Sequence, residues 1–214
     1  MVKLVENSYR DINIAYANEL SILSKKFNVD VCELIKLSNM HPRVNIHTPG
    51  AGVGGHCLPI DPWFIVSSFP DDSNIIKTSR KVNIHKERWV ADEILRTAST
   101  NSINNITLLG LTYKPDIDDF RQSPALNILD SLIVNSDLHI LCVDPFISKL
   151  SNLRSMKSQC EYSTHCKYRH NTLFVVLTLH KVFNEFLSDL YSNCKKELIL
   201  DFSYSQLNNL KAIK

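Results

Sequence analysis

The sequence predicts an α/β chain in two parts: a helical domain at 1–100, then a small doubly wound domain at 104–214 with a mainly parallel sheet. Three observations carry this. Apolar residues recur at helical spacing through most of the first hundred residues. Beyond residue 104 the pattern changes to short apolar runs of strand length separated by helical stretches. All five glycines but one fall between Gly50 and Gly55, inside the helical part.

Residues 2–27 predict one amphipathic helix. Leu4, Val5, Tyr9, Ile12, Tyr16, Leu20 and Leu23 recur near helical spacing, while Lys3, Asn7, Asp11 and Asn18 run along another face. Asp30 opens Asp-Val-Cys-Glu, a capping-box pattern with Glu33, so a second helix should cover about 31–39. Residues 41–62 contain His-Pro, Thr-Pro-Gly, Gly-Val-Gly-Gly and Leu-Pro-Ile-Asp-Pro, which interrupt any regular element. Glycines that dense imply backbone brought close to a ligand or to another segment. A long helical pattern returns at 73–99 on Ile76, Val82, Trp89, Val90, Ile94 and Leu95. The strand-length runs are Ile106–Leu111, His139–Val143, Leu173–Thr178 and Glu197–Asp201, with helical patterns at 124–134 and 181–192.

The 214 residues suffice for one large or two small domains. Lysine plus arginine is 24 against 22 acidic residues, a formal charge of +2. That balance argues against a nucleic-acid surface or a membrane patch. Glu6, Arg10, Asp11 and Glu19 break any apolar core of a signal peptide, and no apolar run is long enough for a membrane helix. The expectation is a soluble, cytoplasmic protein whose six cysteines are reduced thiols.

The run richest in chemistry is Gly-Val-Gly-Gly-His-Cys-Leu-Pro-Ile-Asp at 52–61. A cysteine behind a glycine-rich turn has little steric cover and can face backbone N–H groups, which suits a thiolate nucleophile. Asp61, four residues on, could position a water or a lysine. Taken as a lone cysteine, Cys57 reads first as a small buried hydrophobe in a turn, a reading the surrounding glycines weaken. Lys3 and Asn7 are four apart, so on a helix their side chains can converge on one point; alone, Lys3 reads as a solvated terminal lysine. Lys114 and Arg121 follow a predicted strand at its carboxyl end, where open α/β sheets collect ligands. Cys160, His165, Cys166 and His170 fall close together but lack a Cys-x-x-Cys knuckle, so a variable surface loop is expected there and no metal.

Three ordered segments carry a resemblance. Lys3-Leu-Val-Glu-Asn7-Ser-Tyr-Arg-Asp-Ile-Asn is the first. His41-Pro-Arg43-Val-Asn-Ile, continuing to Pro49-Gly-Ala-Gly-Val-Gly54-Gly55-His-Cys57-Leu-Pro-Ile-Asp61-Pro-Trp-Phe, is the second. Leu109-Gly-Leu-Thr-Tyr-Lys114-Pro-Asp-Ile-Asp-Asp119-Phe-Arg121-Gln-Ser-Pro124 is the third. Together they resemble the central and UDP-binding domains of the UDP-glucose/GDP-mannose dehydrogenase superfamily, with UDP-N-acetylmannosamine the favoured substrate and UDP-N-acetylglucosamine and UDP-glucose as the alternatives, which use closely related loops. The resemblance implies oxidation of the sugar C6 alcohol to a carboxylate by NAD. Cys57 would form a thiohemiacetal and then a thioester. Lys3 and Asn7 would handle the oxyanion and protons, and Asp61 would assist water. Arg43 would reach the nucleotide-sugar across a homodimer. Gly54, Gly55 and Lys114 would bind substrate, and Arg121 would lie near the cofactor phosphates. Thr178-Leu-His180-Lys-Val-Phe183 matches a weaker pattern and is as compatible with a structural role.

Two departures are visible. A family member would carry a Rossmann domain before Lys3; the Gly-x-Gly-x-x-Gly spacing found here, at Gly50, Gly52 and Gly55, follows no predicted strand, so activity would need a separate N-terminal Rossmann fragment or a longer chain. The last strand reads Leu200-Asp201-Phe-Ser-Tyr-Ser where the family usually has Asp-Thr-Lys/Arg-Gly. The competing expectation is a non-catalytic remnant that dimerises and binds a UDP-sugar. The expected dimer contacts are the helices at 2–27 and 73–99, whose apolar positions exceed what a thin helical domain can bury.

Overall fold

The computed structural model describes residues 1–149, 159–193 and 198–204. They form two compact units, one of Met1–Lys86 together with Tyr204 and the other of Glu87–Ser203.

The first unit is helical. α1 spans Val2–Lys26 and α2 spans Val31–Ser38. Asp30 caps α2 as its sequence predicts, its carboxylate accepting the Glu33 N–H at 2.9 Å. α3 spans Asp61–Ser68, inside and beyond the stretch expected to be irregular. Pro62 is tolerated because it occupies the first turn, where its missing N–H has no intrahelical partner to lose. α4, Asn74–Thr100, begins in this unit and continues into the next.

α1 buries the face opposite to the usual one. Asn7, Ser8, Asp11, Ala15, Asn18, Ser21 and Ser24 are buried, whereas Val5, Tyr9, Tyr16 and Leu23 are exposed. The inward polar stripe is held by a network against α4. Arg80 Nη1 donates to Asp11 Oδ1 at 2.6 Å, and Asn83 Nδ2 donates to the same oxygen at 2.8 Å. Asn18 Nδ2 in turn donates to Asn83 Oδ1 at 2.9 Å. Burial raises the Asp11 carboxyl above its ordinary range, while the charge and hydrogen bond of Arg80 pull it back. Further along α4, the buried ammonium of Lys86 donates to Ser21 Oγ at 2.7 Å and to the Tyr204 hydroxyl at 3.1 Å.

The second unit holds a five-stranded parallel sheet in the order β3-β2-β1-β4-β5. The strands are β1 Asn105–Leu109, β2 His139–Val143, β3 Cys160–Ser163, β4 Thr172–Val176 and β5 Ile199–Asp201. α5, Pro124–Asn135, connects β1 to β2, and α6, Asn184–Asn193, follows β4. The central strands are buried throughout most of their length, as near-continuous apolar runs require in a parallel sheet. Leu109, Val143, Phe174, Val176, Phe183 and Leu187 share one core cluster. β3 corrects the surface-loop expectation for Cys160: the residue is buried in an edge strand. Its short segment, with exposed Glu161, lacks the apolar run that marks the other strands. Of the predicted strand at Glu197–Asp201, Glu197 lies outside the described residues.

Arg80→Met strands the buried Asp11 carboxylate and should cost about 3–5 kcal/mol of stability, read by urea unfolding. The paired change Asp11→Leu with Arg80→Met should recover most of that loss.

Candidate active site

Cys57 sits in the turn that follows the glycine cluster and precedes α3, and it is half-buried. The turn is tied at both ends. At the near end the Gly50 N–H donates to Asn18 Oδ1 at 2.9 Å, so the buried network of α1 and α4 also anchors the loop. At the far end the Cys57 carbonyl accepts the Asp61 N–H at 2.8 Å and the Ile60 N–H at 3.0 Å. Gly55 adopts φ 95°, a left-handed conformation that a side chain would strain.

Folding brings together the four residues selected for catalysis. Asn7 Nδ2 donates to Asp61 Oδ2 at 2.7 Å, and Lys3 Nζ lies 3.4 Å from the same oxygen. Asn7 and Asp61 are buried, while the Lys3 side chain is 68 % exposed. The Lys3 pKa is raised, chiefly by its hydrogen bond and ion pair with Asp61 and then by the neighbouring Cys57. Lys3 therefore stays an ammonium through the neutral range. The ion pair is complete below the ordinary lysine value and is lost as pH rises past the higher folded value. The assembly places a thiol, an ammonium, an amide donor and a carboxylate close together, a set of groups that could serve addition at a carbonyl carbon.

The other selected residues stand apart. Arg43 is exposed in the bend after α2, where its N–H donates to His41 Nδ1 at 3.2 Å. Among the described residues it makes no hydrogen bond or ion pair with the Cys57 group. Gly54 is half-buried in the glycine loop. In the second unit Lys114 is exposed on the segment after β1. Arg121 is held by the carboxylate of Asp119, with Nε to Oδ1 at 2.9 Å and Nη2 to Oδ2 at 2.6 Å.

At the carboxyl end of the sheet, where β1 and β4 adjoin and the strand order reverses, the chain fills its own crevice. Gly110 has φ 82°, and a Cβ there would lie 1.9 Å from the Thr178 carbonyl oxygen. A dinucleotide pyrophosphate does not fit this turn, which lacks the open glycine backbone of a dinucleotide cradle. Beside it, Asp144 Oδ2 accepts the Leu111 N–H at 2.7 Å and lies 3.2 Å from His180 Nε2. Burial pulls the Asp144 carboxyl up. The hydrogen bonds from His180, Leu111 and Phe146 outweigh it and hold the group below its ordinary range. In the last segment, Tyr204 takes φ 50° at the position where the resembling family usually carries glycine.

Sequence reasoning missed how the loop is anchored. Asn18 registered only as one member of a polar stripe, and Arg80 and Asn83, about one turn apart on α4, are not among the apolar positions that marked that helix in the sequence. Among the described residues, no three His, Cys, Asp or Glu side chains gather as a metal-binding group, and no helix is long and apolar enough to cross a membrane.

Comparison with known proteins covers both units. Residues 1–85 match the central domain of the UDP-glucose/GDP-mannose dehydrogenase family, and residues 107–206 match its UDP binding domain. The UDP-N-acetyl-D-mannosamine dehydrogenase of Campylobacter jejuni is 48% identical over 193 residues, covering 88% of this chain and 47% of that protein. The enzyme of the same name from Escherichia coli strain K12 is 46% identical over 158 residues, 70% of this chain and 38% of its own length. Among solved structures, the UDP-N-acetyl-mannosamine dehydrogenase of Staphylococcus aureus superposes with a TM-score of 0.75 at 35% identity, covering 95% of this chain and 47% of that one. The corresponding Pyrococcus horikoshii enzyme gives 0.74 at 32%, over 94% of this chain and 51% of that one. The chain thus spans about half the length of the relatives it matches or less.

Brief, limiting alkylation followed by mass mapping should label Cys57 ahead of Cys32, Cys142, Cys160 and Cys166. Burial raises the thiols of Cys142 and Cys166, the latter to about 11. Preferential labelling of Cys32 or Cys142 would remove the case for a reactive Cys57.

Proposed function

Because the chain belongs to the UDP-glucose/GDP-mannose dehydrogenase family, we propose that it forms the nucleophile-bearing and sugar-nucleotide-binding part of an NAD-dependent nucleotide-sugar 6-dehydrogenase acting on UDP-N-acetylmannosamine. The observation that carries this reading is the convergence of Lys3 and Asn7 on Asp61 beside Cys57.

In this scheme the Cys57 sulfur adds to the C6 aldehyde, and the carbonyl π pair moves onto oxygen. Lys3 and Asn7 each have N–H groups beyond those committed to Asp61; both stabilise the oxyanion, and the Lys3 ammonium supplies the proton that makes the thiohemiacetal. At the acyl stage a water attacks the thioester carbon and passes its proton to Asp61, and the sulfur leaves as thiolate. The oxidations belong to NAD, for which the described residues hold no cradle. Lys114 and Arg43 supply cations for the diphosphate and the sugar, and Arg121, held in place by Asp119, faces the cofactor phosphates.

A second reading, a dimerising remnant that binds a UDP-sugar without turnover, is favoured by Ser203 and Tyr204, which replace the basic residue and glycine usual in the family. Addition of a matching N-terminal Rossmann fragment separates the two. We expect no NADH absorbance from the 214-residue chain by itself, because hydride transfer needs the nicotinamide held against C6. Activity should return with the fragment and vanish again in Cys57→Ser. Steady NADH production by the 214-residue chain by itself would show the cofactor assignment to be wrong.

The chain should also be a homodimer through α1 and the first part of α4. Val5, Tyr9, Tyr16 and Leu23 on α1 and Ile75 on α4 are exposed, a row of apolar groups that a second copy can cover. Light scattering at micromolar concentration should give the dimer mass, and Tyr9→Glu with Tyr16→Glu should shift it to monomer. A monomeric parent chain would refute the assignment.

A further inference from the structure

His180 belongs to no step above, yet it is fully buried and every ring nitrogen is engaged. The directions of its hydrogen bonds can be assigned. The backbone N–H of Asp116 points at Nδ1 from 3.0 Å, so Nδ1 is an acceptor and the ring proton resides on Nε2. Nε2 faces Asp144 Oδ2 at 3.2 Å and Thr112 Oγ1 at 3.0 Å. The Thr112 hydroxyl spends its own proton on the Lys114 carbonyl at 3.0 Å, so toward His180 it is an acceptor.

The imidazole therefore meets the Lys114-Pro115-Asp116 segment at both ends, through Thr112 at Lys114 and directly at Asp116. Asp116 closes the clasp from the other side, its Oδ1 accepting the Lys181 N–H at 2.9 Å. These two bonds hold Asp116 at φ 59°, a left-handed conformation a non-glycine residue keeps only when its surroundings enforce it. Asp144 completes the support. Besides facing Nε2, it accepts the Leu111 and Thr112 N–H groups at 2.7 and 3.2 Å.

We propose that His180 is a positioning residue: its imidazole, oriented by Asp144, brackets the turn that carries Lys114 and so sets where the Lys114 ammonium meets a diphosphate. This rests on the reading that Lys114 contacts the nucleotide-sugar. The direct bond to Asp116 depends on an acceptor at the Nδ1 position, which separates two substitutions. The carboxamide oxygen of His180→Asn can stand where Nδ1 stands. The amide nitrogen of His180→Gln reaches the Nε2 position and leaves the Asp116 N–H without its acceptor.

The test measures amide exchange at Asp116 and titration with UDP for the 214-residue chain and both variants, with Lys114→Ala as reference. His180→Gln should speed exchange at Asp116 and weaken UDP about tenfold, the scale of one buried hydrogen bond left unmade. His180→Asn should stay within about twofold of the parent in both, although both variants lose the native ring and both melt earlier. A merely structural histidine would give the two variants equal losses, and that result would overturn the proposal. So would unchanged Asp116 exchange in His180→Gln, or faster exchange with unchanged UDP affinity while Lys114→Ala weakens UDP. Unchanged affinity in Lys114→Ala would instead refute the Lys114 reading, leaving the hold of His180 on the turn to be decided by exchange alone.

Discussion

The buried ion pair of Asp11 and Arg80, with Asn83 and Asn18 alongside, is the constraint on which the helical unit depends. Taking two charges out of water is costly, and it is tolerated only with close geometry and further hydrogen bonds. Asp11 Oδ1 receives both Arg80 and Asn83, whereas Asp11 Oδ2 and Arg80 Nε have no hydrogen-bond partner. The pair is therefore better explained by orientation than by net stability. It commits the polar stripe of α1 to the inside and turns Val5, Tyr9, Tyr16 and Leu23 outward.

The same stripe prepares the site. Asn7, Asp11 and Asn18 lie along one inward face of α1. Asn18 receives the Gly50 N–H and so fixes where the glycine loop begins. Asn7 takes the carboxylate of Asp61 and so fixes where the loop ends and α3 starts. Cys57 lies between these two ties. One helix face thus packs against α4, grips the loop at two points and delivers the cation of Lys3, because residues three and four apart on a helix project together.

The sheet unit solves a different problem. Parallel strands in the order found here open a crevice where β1 and β4 adjoin, and this is the usual place for a ligand. In this chain Gly110 packs on Thr178, and Asp144, Thr112 and His180 complete a buried polar layer beside them. The crevice floor is closed by the protein itself, and the exposed chemistry moves outward to the Lys114 turn above it.

Taken by itself, the sequence determined what depends on local pattern. The Asp30 cap, the long helices at 2–27 and 73–99 and the apolar strands at 139–143 and 173–178 all follow from spacing and composition, which act within a few residues. Cys57, Lys3, Asn7 and Asp61 were legible as candidates through the glycine-rich turn and the ordered resemblance. The tertiary structure decided what depends on partners far apart in the chain. Asp11 and Arg80 are 69 residues apart, and Asn7 and Asp61 are 54. No local signal says that a polar stripe rather than an apolar one faces inward, because only the ionic and amide partners on α4 reverse that preference. β3 escaped for a related reason: a short edge strand with one buried face and a charged residue is defined by its pairing to β2, not by its own composition.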